Sequence, residues 1–147
     1  MDRLVEEMGG SLRVEIRHNP LSMHRSAFDA AAATRAAQRQ GRFWEYHDLL
    51  LASPRQDRDT LIRIAAEAGC EREAFLRDFK QADVRDAILA DIAAAEKAGA
   101  GATPGFLING HTETGWASYE WIRQVVLRHR RGAGPAAPRT GGSATSG

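Results

Sequence analysis

Ala102-Thr103-Pro104-Gly105-Phe106-Leu107-Ile108-Asn109-Gly110 is the stretch that decides how this chain is read. Ala102 to Gly105 has the composition of a turn, because proline and glycine punctuate regular structure. Phe106-Leu107-Ile108 is a short apolar run of the buried-strand kind. Asn109-Gly110 suits the two positive-φ positions of a tight hairpin, so His111 to Trp116 is predicted as the returning strand. Ser118 is placed to cap a closing helix with Trp121, Ile122, Val125 and Val126 on its apolar face.

Upstream, the pattern is mostly helical. Residues 2–8 read as the end of a helix stopped by Gly9-Gly10. Leu12-Arg13-Val14-Glu15-Ile16-Arg17 alternates apolar and polar residues, the period of a strand with one buried face. Asn19-Pro20 ends it. Ser26 with Asp29 fits a loose capping box for an alanine-rich helix reaching Gln40. Phe43 to Leu51 is a short apolar helix that stops before Pro54. Asp59 is placed to cap the next, whose apolar face is Leu61, Ile64, Ala65 and Ala68. Glu71 to Phe79 adds another turn or two. Val84, Ile88, Ile92 and Ala95 form one stripe of a longer helix, ended by Gly99.

Composition bounds the function classes. The 147 residues are 43% hydrophobic and 27% charged, as expected for one folded domain. The net charge of +1 divides into −4 for residues 1–122 and +5 for the rest. No aromatic residues are interleaved with the late arginines, so the reading assigns no nucleic-acid partner. From Gly132 the chain is Gly, Ala, Pro, Ser and Thr, read as a disordered tail 132–147 behind a domain at 1–131. No apolar run reaches about 18 residues, which gives no membrane span. The acidic start lacks the pattern of a signal peptide, so the chain as written is expected to be cytoplasmic. His18, His24, His47, His111 and His129 are scattered without metal-ligand spacing, and neither a metal nor a cofactor is expected.

Three segments carry a family resemblance. Arg17-His18-Asn19-Pro20-Leu21, Phe43-Trp44-Glu45-Tyr46-His47-Asp48-Leu49-Leu50 and Ala102-Thr103-Pro104-Gly105-Phe106-Leu107-Ile108-Asn109-Gly110 stand in this order. They resemble the DsbA-like thioredoxin-fold domains, a thiol–disulfide oxidoreductase family, over about residues 3–128. The resemblance implies an α/β, thioredoxin-like fold with a helical insertion. Its first strand and the start of its first helix, which opens with Cys-x-x-Cys, have no counterpart here. It also implies that the Thr103–Pro104 bond is cis. The backbone of Thr103, Pro104 and Gly105 would then be a binding rim for extended or unfolded protein segments. A turn kept only for folding is the other reading of the same residues.

The chemistry of the family needs two sulfurs. A thiolate attacks a disulfide, and a second thiol resolves the mixed disulfide. This chain has one cysteine, Cys70. It follows Gly69 between two helical stretches, with Glu71 and Glu73 beside it to oppose a thiolate, and reads as a structural thiol. No catalytic residue is assigned. The expected function is therefore a DsbA-family oxidoreductase relative that is redox-inactive as written, or a peptide- or protein-binding module of the same fold.

The resemblance puts the missing strand between 12–17 and 106–109. Without it, two inner strands would expose unpaired backbone groups, each costing about 1–3 kcal/mol when buried. The chain is expected to self-associate through these strands, to accept a strand from elsewhere, or to close 12–17 directly on 106–109. The helices should survive better than the sheet. Met1 falls in an uncapped helix, so either the reading frame begins upstream or the chain is a true fragment.

Overall fold

The computed structural model describes residues 2–114, 118–130 and 140–141. The first half contains α1 (Asp2–Glu7), β1 (Glu15–Ile16), α2 (Ala27–Arg39), α3 (Phe43–Ala52), α4 (Arg58–Glu67) and α5 (Arg72–Asp78). Then follow α6 (Ala82–Lys97), β2 (Gly105–Ile108), β3 (His111–Thr114), α7 (Tyr119–Arg128) and β4 (Thr140–Gly141). The chain divides into two compact units, residues 1–17 with 93–147, and residues 18–92. The middle unit is the helical insertion expected from the sequence.

The middle unit is built on α2. Residues 30–37 are all buried: six are alanines, and the two polar side chains are satisfied, Thr34 by the Ala30 carbonyl and Arg35 by Asp91. Tyr46, Leu50, Leu61, Ile64, Ala65 and Phe75 pack with its alanines in one cluster. Val84 and Ile88 of α6 pack on Ala31 and Ala32 in a second. The Tyr46 hydroxyl donates to the Leu61 carbonyl at 3.2 Å, which satisfies its buried oxygen.

Two caps differ from expectation. Ser26 precedes α2 but lies in the α region and makes no side-chain cap bond, so the Ser26–Asp29 box does not form. Asp57, not Asp59, caps α4, accepting from the Thr60 N–H at 3.0 Å. Asp57 has the extended backbone that aims a cap at the helix, whereas Asp59 is already in the first turn.

In the other unit, Asn109 and Gly110 take φ of 50° and 90°, and β2 and β3 pair antiparallel from Gly105↔Thr114 to Ile108↔His111. Ser118 caps α7, accepting from the Trp121 N–H at 3.1 Å. Leu4, Ile122 and Val125 are buried. Glu7 of α1 accepts from Tyr119 and Arg123 of α7, and the Arg3 guanidinium lies 3.9 Å from the centre of the Tyr119 ring.

The alternating burial of residues 11–17 is present, but ladder bonding covers only Glu15–Ile16. Its partner is β4, in parallel, at Glu15↔Thr140 and Ile16↔Gly141. Direct closure of 12–17 on 106–109 does not occur: β1–β4 and β2–β3 are separate two-stranded ladders. The tail expected to be without structure lies outside the described residues, except that Thr140–Gly141 is strand. Trp116 also lies outside them. No described helix is long and apolar enough to cross a membrane.

Candidate functional site

The turn before β2 is built by close backbone approach. A Cβ on Gly105 would stand 2.7 Å from the Ala102 carbonyl oxygen and 2.8 Å from that of Ala100. Only glycine lets the chain fold back there before entering the strand. The Thr103–Pro104 bond is cis, and Thr103, Pro104 and Gly105 are all exposed. The three residues that the family resemblance implies as a binding rim thus lie exposed at the start of β2.

Hydrogen bonds hold the hairpin behind that rim. Thr112 Oγ1 donates to the Ala98 carbonyl at 2.6 Å, and Asn109 Nδ2 donates to the His129 carbonyl at 2.7 Å. The Phe106 and Trp121 rings lie 5.7 Å apart. The His111 and His129 rings stack at 4.0 Å, and Glu113 lies 3.4 Å from His129 Nε2.

Alongside β2 runs a groove of about 470 Å³. One wall is Leu12 to Arg17, the other Gly105 to Asn109, and Met8, Ile122, Val126 and Arg130 complete it. Leu12, Val14, Ile16, Phe106 and Ile108 are half-buried. The residues alternating with them, Arg13, Glu15, Arg17 and Leu107, are exposed. Periodicity foretold the first wall; Phe106 to Ile108, expected as a buried run, instead alternates, because one face of the hairpin is open and Leu107 is exposed.

Cys70 belongs to the other unit. It is half-buried, and burial raises its thiol above the ordinary range. Arg42 partly offsets this and Glu45 adds to it. The opposing carboxylate is thus Glu45 on α3 rather than the sequence neighbours Glu71 and Glu73. Glu71 instead caps α5, accepting from the Glu73 and Ala74 N–H groups.

The same unit contains a charge cluster that periodicity did not reveal. Arg35 and Asp91 are both buried and form an ion pair. The His18 N–H donates to Asp91 Oδ2 at 3.0 Å. Burial, and then the Arg35 charge, pull the His18 imidazole down to about 4. Its ring faces Phe43 at 6.3 Å, and Phe43 stacks on His47 at 5.6 Å. The one available signal was position: Asp91 lies three residues after Ile88, inside the apolar stripe of its helix. Among the described residues no group of three or more His, Cys, Asp or Glu is arranged to hold a metal.

Compared with known proteins, residues 2–126 match the model of a family described as thioredoxin. The chain is 34% identical over 132 residues to the Na(+)/H(+) antiporter NhaA of Herminiimonas arsenicoxydans, covering 89% of this chain and 21% of the antiporter. It is 34% identical over 130 residues to the Na(+)/H(+) antiporter NhaA 1 of Mycolicibacterium gilvum (strain PYR-GCK), covering 85% and 21%. The chain thus spans about a fifth of the length of the curated relatives it matches. Among solved structures it is similar to a thioredoxin-like oxidoreductase from Silicibacter pomeroyi DSS-3. The TM-score is 0.69 at 27% identity, over 79% of this chain and 68% of that one.

Proposed function

We propose a function that proceeds from one fact: this chain belongs to the thioredoxin family. Its fold is thioredoxin-like, rich in helix with little sheet, and its family is thiol–disulfide-oxidoreductase-like. Within it, the three segments at 17–21, 43–50 and 102–110 support a DsbA-like affiliation. The function proposed is binding of an extended protein segment at Thr103, Pro104 and Gly105, without dithiol–disulfide exchange by these 147 residues.

A single observation carries the redox part: the chain has one cysteine. Exchange needs an attacking thiolate and a resolving thiol. Cys70 could supply only one of them, and its raised thiol pKa disfavours the thiolate that would attack. The binding part is supported by three adjacent exposed residues at the start of a strand, where a second chain can add main-chain hydrogen bonds.

Two measurements test this. The purified chain should reduce insulin disulfides in dithiothreitol no faster than its Cys70→Ser variant; turnover that survives Cys70→Ser rejects the redox reading. Titration with an unfolded peptide should move the amide resonances of Thr103, Gly105 and Phe106; silence at all three rejects the binding reading.

The antiporter relatives favour one further reading of the setting. A module of this kind would act beside a sodium–proton antiporter, with the bound segment supplied by that transporter.

A further inference from the structure

The outer face of α6 carries a pattern that complements itself. Val84, Ile88 and Asp91 turn one side of this helix into the core. Leu89 and Ala93 run along the middle of the opposite side, both exposed, Leu89 at 49%. The helical period puts Arg85 and Glu96 on one flank of that line, about three turns apart. It puts Asp86 and Lys97 on the other flank at the same spacing, about three turns. All four charged residues are exposed. Elsewhere on α6, Asp83 is taken up by Arg39 and Asp91 by Arg35. Among the described residues no ion pair engages Arg85, Asp86, Glu96 or Lys97. The Arg85 guanidinium lies over the Phe28 ring, 4.8 Å from its centre, which sets the flank it occupies and leaves its N–H groups at the edge.

The signs are crossed. One flank runs positive to negative along the helix, and the other runs negative to positive. When two such helices meet antiparallel about a two-fold axis, each flank faces the same flank of the other copy with its ends exchanged. Arg85 then faces the partner's Glu96, and Asp86 faces the partner's Lys97. Leu89 seats on the partner's Ala93, whose small side chain lets the two backbones approach. The opposed helix dipoles favour the same arrangement. A parallel pair would set Leu89 against Leu89 and leave Ala93 facing Ala93 across a gap.

We propose that α6 is a self-docking surface through which two copies of this chain form an antiparallel, two-fold dimer, held by Leu89 on Ala93 and by the Arg85–Glu96 and Asp86–Lys97 pairs. This surface is distinct from the Thr103–Gly105 rim and does not depend on it. α6 has 16 residues, which make a helix about 24 Å long. A contact of that length falls below the roughly 1,200 Å² of a standard interface, so the dimer is weak and reversible. Its dissociation constant is expected on the order of 100 μM.

The test is sedimentation equilibrium of the full chain, which should show monomer and dimer in exchange. Asp86→Lys and Lys97→Glu should each weaken the dimer about tenfold or more, because each sets like charges face to face at two symmetric places. Mixed one to one, the two variants should pair with each other about as tightly as the unchanged chain, because every facing pair is again opposite in sign. In a parallel pair Asp86 would face the partner's Arg85, and the same mixture would keep like charges in contact and stay apart. Recovery of the dimer on mixing therefore supports the antiparallel α6 pair. A chain that stays monomeric at about 1 mM overturns the proposal. So does a dimer indifferent to both single variants, which would place association on another surface. A mixture that recovers no dimer overturns it as well.

Discussion

Asp91 shows what one buried charge does to an otherwise apolar helix face. It is held by Arg35 and by the His18 N–H, so its charge is compensated inside the helical unit. Removing one member of a buried pair strands the other, at a cost of about 3–5 kcal/mol. Asp91→Ala should lower unfolding stability by that order in a urea titration; a change below about 0.5 kcal/mol, the usual range for surface sites, would rule out this role. His18 makes a second prediction. Its folded-state pKa, about 4, lies below the ordinary 6.5. Between those values the unfolded chain takes up a proton that the folded chain refuses. The His18 contribution is therefore complete above pH 6.5 and is lost as pH falls towards 4, by on the order of 3 kcal/mol. Glu7, Asp57 and Glu71, with carboxyls held below their usual 4.5, 3.8 and 4.5, add acid sensitivity at lower pH. A His18→Gln variant should flatten stability between pH 6.5 and pH 4.5; an unchanged slope would place the effect elsewhere.

Elements were legible where local chemistry decides them. Asn109-Gly110 specifies its hairpin because both residues tolerate the left-handed backbone that the turn requires. Ser118 acts as foreseen because its extended backbone aims the hydroxyl at the third N–H of α7. Ser118→Ala should cost about 1 kcal/mol, read as a lower thermal midpoint with unchanged helix content. Ser26 has a capping residue type but not the geometry, since the turn before α2 puts it in the α region. The strand expected at 12–17 follows the same rule. Its side-chain alternation is intrinsic, and the burial pattern keeps it. Ladder hydrogen bonds need a partner, and β4 supplies one only at Glu15 and Ile16.

At the scale of the whole molecule, stability is distributed unevenly. The helical unit holds both large buried clusters, while the strands form two short separate ladders. Native-state hydrogen exchange should be slowest in α2, α3 and α4 and fastest at Glu15–Ile16, because local opening follows buried apolar contact. Uniform protection across both would refute that division. The sequence by itself determined the order of elements as far as α7, the hairpin, the thioredoxin-like family pattern and the want of a second thiol, since these rest on residue identity and short-range spacing. The tertiary structure alone decided that Asp91 and Arg35 meet across 56 residues, that Glu45 bears on Cys70, and that residues 12–17 and β2 wall a groove instead of pairing. Those outcomes depend on which distant surfaces come together, and periodicity along one segment carries no information about its neighbours in space.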